Sequence, residues 1–272
     1  MAATARRYLY AVTEAEAQVD LSGLSGVAEP GGQAAALEII PAGPLAAIAS
    51  PFSGERIRPE RRNLAAHQAA LRALLDANIA FLPVSFGLMA PSLEDLAALL
   101  AANRPALLSD LARLAGKVEM GVKMAWDVEN IFEFFVFRNP ELAQLRDRLS
   151  ATPGGPSTDE KIELGRTFEA MLNEARERHK NTIMRALGKW VVEFKADPPR
   201  DEKMILNLNC LVERDEERPF EKGVLQVASL FDDRYAFDYS GPWPPCNFVR
   251  VALRAPLAGR SAHRETTYAH RG

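Results

Sequence analysis

The sequence predicts an α+β protein of two domains, an N-terminal mixed α/β unit and a C-terminal domain of one sheet with helices. Three observations carry this. The 272 residues suffice for one large domain or two ordinary ones. Hydrophobic residues make up 47% and charged residues 25%, which suits a packed core under a solvated surface. The pattern also changes near Gly116: short apolar runs between glycines and prolines give way to clean period-two strands alternating with long helical stretches.

Taken in order, Arg7 to Thr13, RYLYAVT, is an opening strand with Tyr8, Tyr10 and Val12 on one face. A loop rich in glycine and proline follows. ALEIIPAG and PLAAIAS, joined through Pro41, Gly43 and Pro44, are expected to pair as a hairpin. PERRNLAAHQAALRALLDAN is a helix with Pro59 in its first turn and an apolar stripe of Leu64, Leu71, Leu74 and Leu75. IAFLPVSFGLM is a short buried strand with an irregular exit. SLEDLAALLAANRPALLSDLARLAG is helical, opened by a capping box of Ser92 and Asp95 and interrupted near Pro105.

Beyond the boundary near Gly116, KVEMGVKMAW alternates as a half-buried strand. Val118, Met120, Val122, Met124 and Trp126 share one face, and Glu119 and Lys123 the other. VENIFEFFVFRNPELAQLRDRLS is helical with a turn at Asn139-Pro140. After a loop in which Ser157 or Thr158 can cap, a long helix is expected from Asp159 to Phe194. KMILNLNCLV is a strand, EERPFEKGVLQVASLFDD a helix, and RYAFDYSGPWPP a last strand with Tyr235, Phe237 and Tyr239 on one face. Strand, helices, strand, helix and strand pack most simply as a small antiparallel or mixed sheet covered by helices on one face, with a ferredoxin-like arrangement as the natural candidate. The expected domains are therefore 1–116 and 117–249. Residues 250–272 form a tail without apolar periodicity that is expected to be disordered.

Charge and composition restrict the function. A net charge of −3 supplies no global basic field for nucleic acid or anionic lipid. Two cysteines, Cys210 and Cys246, do not make a disulfide framework, and the N-terminus lacks the apolar core of a signal peptide. No apolar run approaches the roughly 20 residues that span a bilayer. These features point to a cytoplasmic protein that does not enter membranes.

A search for chemistry returns little. The histidines, at positions 67, 179, 263 and 270, do not pair at a ligand spacing, and CxxC is absent, so no metal or other cofactor is expected. SGLSG is not a nucleophile elbow, and neither a Walker loop nor GxGxxG occurs. Cys210 lies on an apolar strand face. The acidic runs Asp215-Glu216-Glu217 and Asp232-Asp233 sit at element ends, where solvated caps are common. Arg58, Arg61 and Arg62 open a helix against its dipole, which marks either ordinary surface charge or a face for an acidic partner.

The stretch GPWPPCNFV, Gly241 to Val249, holds three prolines with Trp243 and Phe248. It reads as a plug that ends a sheet edge and packs over a core, or as an exposed aromatic strip for a partner. In order along the chain, YLYAV, LAAIAS, HQAAL, FLPVSFG, GKVEMGVKMAW and YSGPWPPCNFV resemble the GvpF/GvpL family of gas vesicle proteins. The resemblance spans Tyr8 to Val249, and LPVSFG, VEMGVK and GPWPPCNF are its most specific pieces. It implies two α+β domains, the second ferredoxin-like, and a non-enzymatic minor protein of the gas-filled shells that give aquatic microbes buoyancy. It further implies contact with the major shell protein GvpA during early assembly, and with other minor vesicle proteins. Two alternatives remain: a structural component retained in the finished shell, and a small-ligand regulator or enzyme. Cys246 departs from the tyrosine expected at that place. Candidate partner-binding residues are Trp243, Phe248, Arg58, Arg61 and Arg62, with the exposed side of the long helix from Glu174 to Lys189 as a second candidate face.

Overall fold

The computed structural model describes residues 6–29 and 31–253. Two compact units form: one from the described residues up to Glu119 together with those from Pro242 onward, the other from Met120–Gly241. The segment from Pro242, expected with the C-terminal domain, thus groups with the first unit. Of the expected tail, residues 254–272 lie outside the described ones.

The first unit is built on a sheet of order β4-β5-β1-β6, with β7 also pairing β1. Its strands are β1 (Arg6–Glu14), β4 (Glu38–Ala42), β5 (Leu45–Phe52), β6 (Phe81–Pro83) and β7 (Met89–Ala90), after a separate hairpin of β2 (Ser25–Ala28) and β3 (Ala34–Ala36). β4 and β5 form the expected antiparallel hairpin, turning at Gly43, where φ is +69°. β1 is central and antiparallel to its neighbours, and Tyr8 through Thr13 are all buried. Both of its faces are covered, which explains why apolar side chains fill both alternating sets and not one.

Helix α1 (Arg61–Asp76) packs on β1 and β2. It starts after Glu60, so Pro59 precedes the helix and does not occupy its first turn. Leu64 departs from the expected stripe and is 41% exposed. The buried line is Asn63, His67, Ala70, Leu71, Leu74 and Leu75, a 3.6-residue face in which two polar residues take apolar positions. Helix α2 (Leu93–Leu114) runs unbroken through Pro105, contrary to the expected interruption. Interior proline costs about 3 kcal/mol, but Leu96, Leu100, Leu107, Leu111 and Leu114 bury on both sides of it and hold the axis. Ser92 caps the start, its hydroxyl accepting from the Asp95 N–H at 3.0 Å.

The second unit has a four-stranded sheet of order β11-β8-β10-β9 from β8 (Lys117–Trp126), β9 (Val191–Asp197), β10 (Met204–Glu213) and β11 (Tyr235–Trp243). Counting within the unit, this is order 4-1-3-2. Helices α3 (Ile131–Arg138), α4 (Pro140–Ser150) and α5 (Thr158–Leu187) connect its first two strands, and α6 (Glu217–Ala228) its last two. That is the expected ferredoxin-like βαββαβ topology. Helices α5 and α6 pack on each other and on β10. Gly121 of β8 faces Ser240 of β11: a Cβ there would lie 2.6 Å from the Ser240 hydroxyl.

The long helix ends earlier than its apolar spacing suggests. α5 stops at Leu187 with Gly188 as its cap, and Val191 to Phe194 belong to strand β9, antiparallel to β10. The helical spacing of Trp190, Val191 and Phe194 is coincidental there. The β-branched pair after a glycine is the local signal that prevails. The N-terminus of α5 carries a full capping box of Ser157 and Glu160.

Candidate partner-binding site

Three of the stretches singled out in the sequence meet inside the first unit. Tyr8 and Tyr10 from β1, His67 from α1 and Phe86 from the loop after β6 form one aromatic cluster, with ring centroids 4.9–5.9 Å apart. Its polar atoms are linked in series. The Gly87 N–H donates to the Tyr8 hydroxyl at 3.2 Å, Tyr8 lies 2.9 Å from His67 Nδ1, and His67 Nε2 lies 3.1 Å from the Val84 carbonyl. A carbonyl only accepts, so Nε2 carries the proton and Nδ1 accepts from Tyr8. Burial pushes the His67 pKa down and the Tyr8 and Tyr10 phenols up. The Val27 N–H donates to the Tyr10 hydroxyl at 2.8 Å, and Ser50 Oγ lies 2.9 Å from it. These rings are spent on one another and on backbone. The cluster organises the unit and presents no group for chemistry on a substrate.

The segment from Pro242 to Val251 is fixed by two buried carboxylates. Glu119, on the face of β8 expected to be the polar one, is buried instead. Its oxygens accept from the Asn247 backbone N–H at 2.9 Å and from Asn247 Nδ2 at 2.6 Å. Asp110 of α2 accepts from the backbone N–H groups of Arg250 and Val251 at 2.7 and 3.2 Å, and pairs with Arg113 at 2.9 Å. Arg113 also donates to the Phe248 carbonyl. Charge-assisted bonds of this kind are the strong ones, and a buried carboxylate needs them. Neither carboxylate was singled out by sequence reasoning. For Asp110 and Asn103 a signal existed, since both sit on the leucine stripe of α2 where a polar residue needs an explanation. For Glu119 none did, because its partner lies 128 positions away.

Plug and strip are both present, on different residues. Phe248 is 2% exposed, and Pro244 and Pro245 are buried, so this half of the segment closes the core. Trp243, at the end of β11, is 47% exposed. Cys246 is exposed between them on a short 3-10 turn, Cys246–Phe248. The Pro242 carbonyl accepts from Arg72 of α1 at 3.1 Å, which ties the Trp243 end to that helix. Arg61, Ala65, Gln68 and Arg72 recur along one exposed line of α1, with Leu64 beside it. Arg58, Arg61 and Arg62 are all exposed at the far end of the line, three turns or about 16 Å from Arg72, and Arg62 pairs with Glu60 at 2.9 Å. The Trp243 end and the arginine cluster therefore lie toward opposite ends of one exposed line of α1, while Phe248 is buried. The other candidate face, the exposed side of α5 beyond Glu174, carries the ion pairs Arg178–Glu174 and Lys180–Glu177 and no exposed large apolar residue.

Comparison with known proteins agrees with these motifs. Residues 6–250 match the family described as gas vesicle synthesis protein GvpL/GvpF. Gas vesicle protein F of Streptomyces sp. (strain CB03234) is 30% identical over 213 residues, covering 78% of this chain and 87% of that one. Gas vesicle protein F of Nostoc sp. (strain PCC 7120 / SAG 25.82 / UTEX 2576) is 27% identical over 73% of this chain and 81% of its own. The crystal structure of GvpF from Anabaena sp. PCC7120 superposes with a TM-score of 0.79 at 25% identity, covering 92% of this chain and all of that one. With the match running through the buried cluster and the clamped segment alike, the chain belongs to the GvpL/GvpF family of gas vesicle synthesis proteins.

Proposed function

We propose that this protein acts in gas vesicle assembly by binding the major shell protein GvpA during early shell formation, through the Trp243 end of the clamped segment and the exposed line of α1. The observation that carries the reading is Trp243 itself. A large aromatic side chain stands 47% exposed on a segment whose following residues are held by buried carboxylates. Such a side chain is pre-organised, so little ordering entropy is lost when a partner covers it. Exposed Leu64 extends the apolar part, and Arg58, Arg61 and Arg62 supply charge at the rim. The action is binding and not catalysis, and it takes place at the gas vesicle and in the cytoplasm where vesicles are built.

The test is co-expression of the tagged full-length protein with GvpA, measuring how much soluble GvpA the tag retains. Wild type is expected to retain it and Trp243→Ala to lose most of it with an unchanged thermal unfolding curve. Failure of the wild type to retain GvpA overturns the reading. Stoichiometric retention in washed vesicles would favour a permanent shell component over a transient assembly factor.

A further inference from the structure

The second unit holds a cleft of about 300 Å³ on which the reading above does not depend. Trp126, Phe135, Met171, Arg138, Arg178 and His179 are among its lining residues. The aromatic wall is a packed cluster: Trp126 meets Phe135 and His179 edge-on with centroids 5.4 and 6.4 Å apart, and His179 is packed against Tyr235 at 5.4 Å. The two arginines differ. Arg178 is neutralised by Glu174 at 2.6 Å. Arg138 is exposed, its guanidinium lies 4.5 Å from the Phe134 ring centroid, and no carboxylate reaches ion-pair distance among the described residues. Asp232, held by Arg234, feels the Arg138 charge without pairing with it, so the cleft sets a planar cation with no ion pair of its own beside an apolar aromatic wall and the Glu174 carboxylate.

We infer that this cleft binds a segment of a partner protein that carries a carboxylate side chain next to an aromatic or branched apolar one. The carboxylate meets the Arg138 fork, a geometry that guanidinium recognises bidentately. The neighbouring apolar side chain enters against Trp126, Phe135 and Met171. A volume near 300 Å³ is at the small end for ligand pockets and suits one or two side chains.

The probe is the acetylated, amidated hexapeptide Asp-Phe-Asp-Leu-Asp-Phe, titrated calorimetrically into the full-length protein. Its counterpart with lysine for aspartate and free 3-phenylpropionate are titrated in parallel. The acidic peptide is expected to bind, the lysine peptide not. Arg138→Glu is expected to weaken binding at least tenfold. Lys161→Glu, the same charge change at an exposed position about 15 Å before Met171 along α5, leaves it unchanged. Arg138 is exposed, so its substitution does not threaten folding. Absence of binding, equal binding of both peptides, or equal loss in the two variants overturns the inference. Binding of 3-phenylpropionate as tight as that of the peptide overturns the partner segment in favour of a small carboxylate. A Trp243→Ala protein binds the peptide like wild type, which separates this site from GvpA binding.

Discussion

His67 is held between a phenol that donates to it and a carbonyl that accepts from it, so only its neutral form fits. Its pKa is lowered from the ordinary 6.5 by burial, and that of His179 is lowered by burial and then by Arg178 and Arg138. The unfolded chain therefore binds these protons more readily than the folded one, and stability falls as pH drops below about 6.5. Chemical denaturation between pH 7.5 and 5.5 should show this loss in the wild type. His67→Gln should show a shallower one, with stability at pH 7.5 reduced by about 2 kcal/mol through impaired buried hydrogen bonds. An unchanged slope would mean that His67 does not titrate in the unfolding reaction. Glu119 is the second residue whose neighbours define it. In Glu119→Gln only one amide atom accepts, while Asn247 presents two donors. The expected cost is about 1.4 kcal/mol, which hydrogen exchange at the Asn247 amide should read as roughly tenfold faster opening.

At the scale of elements, the β2–β3 hairpin shows what a single backbone approach can decide. A Cβ on Gly26 would lie 2.7 Å from the Ala35 carbonyl, 2.8 Å from the Tyr10 hydroxyl and 3.0 Å from Ser50 Cβ. Two of these three atoms belong to buried parts of the first unit and the third to backbone, so none can yield cheaply. Gly26→Ala should destabilise by about 2 kcal/mol, measured by urea unfolding, in spite of the entropy that alanine removes from the unfolded chain. Most elements were legible because their signals were local: the alternation of β8, the hairpin prolines and glycine, the Ser92 and Ser157 caps. β9 was not, because an edge strand need not alternate between buried and exposed residues, and its Val192 is in fact 54% exposed. Pro105 misled for the opposite reason, since a local penalty was outweighed by leucines that bury at long range. The candidate site divides the same way. Trp243 and the arginines were visible as residue types in an unusual setting, whereas Asp110 and Glu119 acquire their roles from partners more than 120 positions away.

At the scale of the whole molecule, the first unit is closed by a segment that the chain delivers only after the second unit. Residues after Pro242 return to α1, α2 and the start of β8 only after the second unit has been traversed. Contacts of such sequence separation form late and at an entropic cost, so the closing segment must contribute enough on its own to stay docked. Its burial of Phe248, Pro244 and Pro245 and its charge-assisted bonds supply that. Ending the chain at Gly241 uncovers Asp110 and Glu119 to water, so these carboxylates are rehydrated and add no penalty of their own. The loss is chiefly that of Phe248 burial, about 4 kcal/mol, a large part of the 5–15 kcal/mol that typically separates folded from unfolded. Hydrogen exchange of the truncated protein should therefore show α2 and β1 amides losing protection by two to three orders of magnitude, since each 1.4 kcal/mol is tenfold. Trp243→Ala, which removes an exposed ring from the same segment, should leave those amides as protected as in the wild type. Equal protection in truncated and full-length protein would show that the segment is held by the first unit without stabilising it, and equal loss in both variants would make Trp243 part of the plug instead of the surface offered to a partner.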